Sequence, residues 1–387
     1  LARKHCDSAS TFNSGFRVKS FISIAANGIR FHYVTQLVMP DSISSEYLRH
    51  VVTEICEKFP RRHVWNHSDL LGCQEWIERE MARIGHPFYR HSFTAKFWTD
   101  DQGTPGSLEV SNICLDVPGS ESDSGTLVIG AHYDSRHGME ARQSRAPKFS
   151  WPHLSTGDNP PLYWDTPGAN DNTSAVASLL ALVESLKDFK PRQSLHFVFW
   201  VNEEYPFFRN YWKKGRTVKG IRYVADGLGS YYHARKLIQE DRRRIAGCIA
   251  LDALGCYDDG RGYASTDAPW LNRHAYRLLF PADHDYVAFL SNRPSRPFAK
   301  RAADLFRKTG NVPVHVPPIP LGKRPKSGWS DDWSYWQFDV PAFCVTDTAF
   351  IRTPHYHQIT DTPVTLNYPT LAKVVTGLRD VVTRMAS

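Results

Sequence analysis

Pro167-Gly168-Ala169-Asn170-Asp171-Asn172, with the run Thr173–Leu186 behind it, decides how this chain is read. A Pro-Gly pair closes one segment, and Asn and Asp then stand where the next helix begins. Ala175, Val176, Leu179, Leu180, Leu182, Val183 and Leu186 follow at the spacing of one helix face. Asp171 has two readings. As an ordinary N-cap, its side-chain oxygen accepts a backbone N–H of the first turn. As a functional group, it stands at the centre of a site. The choice depends on where the other ligand-type residues fall.

They fall at the ends of apolar runs. Thr126–Asp134 is a short continuous apolar stretch that ends in His132 and Asp134, the pattern of a buried central strand. Ser194–Val201 is another, followed by Asn202, Glu203 and Glu204. Gly247–Asp252 ends in a carboxylate, and Pro341–Thr346 is followed by His355, Tyr356 and His357. Helical patterns fill the rest: Ser44–Lys58, Ser68–Ile84, 228–244, Pro297–Lys308 and Leu371–Met385. Two strand-like segments, His91–Trp98 and Leu108–Val117, precede the first buried run, and Tyr286–Leu290 is a further short strand. Strands alternating with helices predict an α/β three-layer sandwich, with a mostly parallel mixed central sheet flanked by helices. Residues 1–43 read as an N-terminal extension, and 44–387 as one domain.

Taken singly, each polar residue has an ordinary explanation. A strand-end His is usually hydrogen-bonded, a Glu-Glu pair solvated, and a strand-terminal Asp a turn residue. Their coincidence is harder to explain that way. In α/β sheets the site lies at the carboxyl ends of the strands, and imidazole and carboxylate are the ligands of catalytic zinc.

The ordered motifs HYDS (132–135), PGANDN (167–172), NEE (202–204), LDALG (251–255) and PHYHQITDT (354–362) resemble metallopeptidase family 28, the di-zinc aminopeptidase type. That family also includes glutamate carboxypeptidase II and the glutaminyl cyclases. The likeness spans roughly residues 44–380, and the segments 328–337 and 345–350 look like a bacterial branch. The resemblance implies two zinc ions bridged by Asp171, one completed by His132 and Asp252, the other by Glu204 and His357. It implies Glu203 as general base, Asp134 as the carboxylate that orients His132, and Tyr356 as a phenol facing the tetrahedral oxyanion. His357 is preferred to His355 because it stands four residues before Asp361 in the family's H-x-x-x-D-T pattern. The chain departs from the family at Asp332, where His often follows Ser-Asp, and at Tyr205-Pro206-Phe207-Phe208, where small residues are usual.

The implied activity is removal of N-terminal residues from peptide substrates. The alternatives are a glutaminyl-cyclase-like zinc acyltransferase, which typically has Asp-Ser where this chain has Asp171-Asn172, and an inactive binding module. Other classes are disfavoured by composition. A net charge of +7 over 387 residues, with scattered basic residues, gives no nucleic-acid stripe. No apolar run approaches the ~20 residues of a membrane helix. Seven Cys without a CxxC pair predict buried thiols at Cys114, Cys248 and Cys344. The apolar stretch Phe21–Ala26 is shorter than a signal-peptide core. The visible sequence therefore favours the cytoplasm, or export if a segment precedes Leu1. The long stretch Ser135–Thr166 joins the strand of His132 to the helix of Asp171. It is expected to border the substrate mouth, with Trp151, Tyr163 and Trp164 available to line it.

Overall fold

The computed structural model describes residues 43–99, 104–137, 165–207, 225–257, 279–281, 285–318 and 330–387, together with the backbone of four short strands elsewhere. The chain divides into two compact units, Leu1–Ile43 and Ser44–Ser387. In the first, Ser23–Ala25 and Gly28–Arg30 pair antiparallel.

The second unit is built on eight strands: β1 (Tyr89–Trp98), β2 (Pro105–Val117), β3 (Thr126–His132), β4 (Ser194–Trp200), β5 (Ile245–Leu251), β6 (Val287–Ser291), β7 (Val314–His315) and β8 (Ala342–Thr346). They form one sheet in the order β7-β6-β8-β5-β3-β4-β2-β1. The four central strands β8, β5, β3 and β4 are parallel. β2 joins β4 antiparallel, and β6 joins β8 antiparallel. The runs that read as apolar without alternation are the strands buried on both faces. Every residue of β3 is buried.

Helices cover both faces. On one lie α1 (Ser45–Lys58), α2 (His67–Ile84), α3 (Ala175–Ser185), α5 (Arg296–Arg307) and α8 (Tyr368–Ala386), packed among themselves and on the sheet. On the other, α4 (Gly229–Arg235) and α6 (Asp332–Trp336) bury Ala234 and Tyr335 against Val128, Trp200 and Ala250, and the short α7 (Ala349–Arg352) follows β8. Gly130 makes room on this face, since a Cβ there would meet the Trp200 ring at 2.5 Å.

Local sequence explains the helix ends. The Ser44 hydroxyl accepts Tyr47 N–H at 3.2 Å and caps α1, and Leu48, Val51, Val52 and Ile55 form its buried stripe. Asn367 caps α8 in the same way, ahead of Pro369 in its first turn. In α3 burial runs all round: Ala175, Ala177, Ser178 and Ala181 are as enclosed as Leu179 and Leu182. Its small residues let α1, α2 and α8 close over it, so the single apolar face read from the sequence understates its burial. Each large aliphatic side chain fully buried there contributes about 1.5–3 kcal/mol.

Two expectations shift. The central helix begins at Ala175 rather than Thr173, behind an irregular turn, Ala169–Ser174, in which Asp171 (φ −110°, ψ 89°) and Asn172 are not helical. The sequence predicts no element at Val314–His315, yet these residues form a sheet-edge strand parallel to β6. Among the described residues no helix is long and apolar enough to cross a membrane. Cys56, Cys73, Cys114, Cys248, Cys256 and Cys344 are buried free thiols.

Candidate metal centre and active site

The parallel strands β3, β4 and β5 deliver their carboxyl ends to one rim, with β8 beside them. His132 ends β3, Glu203 and Glu204 follow β4, and Asp252 follows β5. The turn carrying Asp171 is laid against this rim by its neighbours' side chains. Asn172 replaces a strand partner: its Nδ2 donates to Leu251 O and its Oδ1 accepts Ala253 N–H, both at 3.0 Å. Asn170 Oδ1 accepts Gly255 N–H at 2.7 Å, and its Nδ2 donates to Asp347 at 3.0 Å. The Asp361 carboxylate accepts the N–H groups of Asn170 and Asp171 at 2.8 and 3.0 Å. Gly168 is required by the turn. Its φ is +62°, and a Cβ there would stand 2.4 Å from Asp171 O.

Arg62, 1% exposed, binds the two halves of the site together. Its Nε donates to Tyr133 O at 2.8 Å, between His132 and Asp134. Its Nη1 reaches Pro167 O at 2.8 Å, and its Nη2 reaches Thr173 Oγ1 at 2.9 Å. The end of β3 and the Asp171 turn are thus fastened to one guanidinium.

The side chains converge as two three-residue sets that share Asp171: His132, Asp171 and Asp252, and Asp171, Glu204 and His357. His132 Nε2 lies 3.4 Å from Asp171 Oδ1 and 3.9 Å from Asp252 Oδ1. His357 Nε2 lies 3.0 Å from Asp171 Oδ2 and 3.6 Å from Glu204 Oε1. Each carboxylate oxygen of Asp171 therefore belongs to a different set. Two ligands on a tetrahedral zinc at ~2.0–2.1 Å stand ~3.3 Å apart, close to the shorter of these separations. His132 Nε2 and Glu204 Oε1 are buried without a hydrogen-bond partner, a costly state unless a cation completes them. The residues present fit a pair of metal ions.

Electrostatics point the same way. Burial raises Glu203 and Glu204 well above the usual carboxylate range, with Glu204 adding to the effect on Glu203 and Asp171 to that on Glu204. Burial and then Asp171 push Asp252 up to about 7. Asp171 itself stays low: burial opposes its charge, but the His132 and His357 imidazoles beside its two oxygens outweigh it. His132 is raised despite burial by Asp134 and Asp171. So dense a buried negative charge is accommodated by cations.

Asp134 stands behind the centre. It lies 3.4 Å from His132 Nδ1, and its two oxygens accept Glu203 and Glu204 N–H at 3.1 and 3.0 Å. Its carboxylate thus stands beside the imidazole and fixes the backbone of the Glu pair, and its backbone carbonyl bonds His132 Nδ1 at 3.3 Å. Glu203 belongs to neither three-residue set, and its Oε2 is 3.9 Å from His132 Nε2. The Tyr356 ring stacks on His357 at 3.7 Å, with the Asp171, Asp252 and Glu204 carboxylates near its phenol. His355 turns away and bonds Thr360 Oγ1 through Nδ1 at 2.9 Å.

Other participants were not anticipated. Asp331 and Asp332 are buried, and burial holds Asp331 at about 7, with His132 and Asp134 nearby. Ser330-Asp331 follows the family's Ser-Asp, and only Asp332 was visible as a departure from it. Arg136 lies against the His357 imidazole. Asn202, Ala253, Thr348 and His357 hold left-handed backbone (φ 53° to 65°) around the rim, at a cost of about 1–3 kcal/mol each. The expected border formed by the Ser135–Thr166 stretch is described only at its ends, and Trp151, Tyr163 and Trp164 lie outside the described residues. Among the described residues the aromatic edge near the centre is Trp65, Trp98 and Tyr205, with Trp65 stacked on Tyr205 at 6.0 Å.

The model of peptidase family M28 matches residues 112–382. YfbL, an uncharacterized protein of Escherichia coli K12, is 32% identical over 346 residues, 88% of each chain. A Zn-dependent exopeptidase from Parabacteroides distasonis has the same fold, with a TM-score of 0.57 at 16% identity over 89% of this chain and 99% of its own. So does a Bacteroides thetaiotaomicron glutaminyl cyclase, with a TM-score of 0.58 at 16% identity and the same two coverages. Motif order, sheet topology and the shared aspartate agree with these likenesses, and the chain belongs to peptidase family M28.

Proposed function

We propose that this protein is a zinc aminopeptidase that hydrolyses the N-terminal peptide bond of peptides. The observation that carries the reading is the pair of three-residue sets sharing the two oxygens of Asp171. His132, Asp171 and Asp252 would hold one zinc, and Asp171, Glu204 and His357 the other. When bound, the zinc pair lowers the pKa of a water and polarises the scissile carbonyl. Glu203 takes the proton of that water and returns it to the leaving amine. Burial, with Glu204 beside it, raises its proton affinity, which favours uptake of that proton. Asp134 holds His132 in one tautomer and the Glu203 backbone in place, so the base does not drift from the reacting atoms. Tyr356 keeps its phenolic proton and donates a hydrogen bond to the carbonyl oxygen as negative charge develops there.

Glutaminyl cyclases share the fold, so the test must separate the two chemistries. Purified protein is assayed for zinc content, and for turnover of aminoacyl amides beside peptides with N-terminal glutamine. Release of N-terminal residues with close to two zinc ions in the Asp171 centre supports the reading. Loss of ammonia from glutamine peptides with a single zinc there, and no hydrolysis, refutes it.

A further inference from the structure

A second group of metal-type side chains stands beside the centre. His63, His137 and Asp165 each offer a ligand atom, and these atoms lie within 4.8 Å of one another. His63 Nε2 and His137 Nε2 are each 3.4 Å from the same Asp165 oxygen. That separation again matches the ~3.3 Å edge of a tetrahedral zinc site. His63 is 4% exposed, and neither ring nitrogen makes a hydrogen bond. An imidazole enclosed in this way with both nitrogens unsatisfied is rare. Its ring meets that of His137 edge-on at 4.4 Å, so both rings face the carboxylate without bonding to each other.

The backbone builds this cluster. Ser135 N–H donates to Arg62 O at 2.9 Å, which sets His63 beside the end of β3. Thr166 N–H donates to Arg136 O at 3.1 Å, which sets Asp165 beside His137. Burial, with His63 next to it, pushes His137 down to about 4, so its imidazole is neutral at neutral pH.

Among the described residues, the other buried cluster outside the centre differs. In Cys114, His196 and His233 the imidazole nitrogens are already used. His196 Nδ1 meets Asp116 at 2.8 Å, the two Nε2 atoms meet each other at 2.9 Å, and His233 Nδ1 accepts from Tyr335 at 2.7 Å. That network satisfies itself.

We propose that His63, His137 and Asp165 form a separate site for a divalent transition metal of the zinc class. Two imidazoles and a carboxylate suit such an ion. The site lies one residue from Arg62 and one from Arg136, so an ion there ties together the three backbone segments that frame the centre.

The test is zinc binding itself. The full chain and its His63→Ala and His137→Gln variants are dialysed against zinc buffered from nanomolar to micromolar, and bound zinc is counted per folded chain. Each variant is expected to hold one ion fewer than the parent at saturation. In an Asp171→Asn background, which empties or weakens the first centre, one ion should remain and should vanish on adding His63→Ala. Equal zinc counts in the parent and in whichever variant keeps the parent's circular dichroism overturn the proposal. So does an ion that persists in the double variant. The count does not depend on whether peptides are hydrolysed, so failure of the aminopeptidase reading leaves it standing.

Discussion

Replacing Glu203 by Gln separates proton transfer from metal binding. The backbone N–H groups of Glu203 and Glu204 are both held by Asp134, at 3.1 and 3.0 Å, so neither side chain is needed to place the other. Glu204 Oε1 lies 3.6 Å from His357 Nε2 within a three-residue set, whereas Glu203 lies outside both sets. Glu203→Gln keeps the volume and removes the proton acceptor. Loss of a positioned general base costs ~10²–10⁴ in rate, about 2.7–5.4 kcal/mol of transition-state stabilisation. We expect kcat to fall by that factor on aminoacyl amides with zinc content unchanged. Glu204→Gln keeps an amide oxygen but loses the charge, and should weaken one zinc at least ~10-fold, the scale seen for lesser changes around metal ligands. The assay is steady-state kinetics with elemental analysis at fixed free zinc. An active Glu203→Gln enzyme, or loss of zinc from Glu203→Gln but not from Glu204→Gln, refutes the division of roles.

Three further outcomes follow from the geometry. Arg62→Leu strips a charged donor from four backbone carbonyls and a hydroxyl. At ~1.5–3 kcal/mol per charged hydrogen bond, with partial rescue by water, it should cost about 4 kcal/mol and lower Tm by about 5 °C, and it should weaken zinc binding; an unchanged Tm in a thermal melt contradicts it. His357→Ala should lose a zinc while His355→Ala keeps the parent's content, because His355 bonds Thr360 instead of facing Asp171; elemental analysis of the pair decides. Metal-depleted protein should lose stability as pH rises from about 4 to about 7: Asp252, Asp331, Asp347 and Asp361 are pushed up to about 7 by burial, so the folded state binds more protons than the unfolded one across that window. Melts of chelated protein against pH test this, and added zinc should flatten the slope.

What the sequence made legible, and what it hid, divides along one physical line. His132, Asp171, Glu203, Glu204 and Asp252 were visible because a charge next to an uninterrupted apolar run is a local contradiction. The strand is buried on both faces, so a polar group at its end needs a purpose. His357 was placed by spacing to Asp361, and the structure gives that spacing a cause. The Asp361 carboxylate holds the Asn170 and Asp171 N–H groups, so the aspartate and the histidine four residues before it meet the same turn. Arg62 had no such signal. Its partners lie 71 and 105 residues away, its neighbours Arg61 and His63 follow no periodicity, and a buried guanidinium bonded to carbonyls reads in sequence like any surface arginine. The same holds for His63 with Asp165, and for Asn172, whose amide substitutes for a strand edge only after β5 is in place. Local pattern shows where burial and charge conflict. Which distant groups resolve the conflict is set by the parallel crossovers, which bring residues remote in sequence to one rim. That is why the centre of this site was readable and the frame that holds it was not.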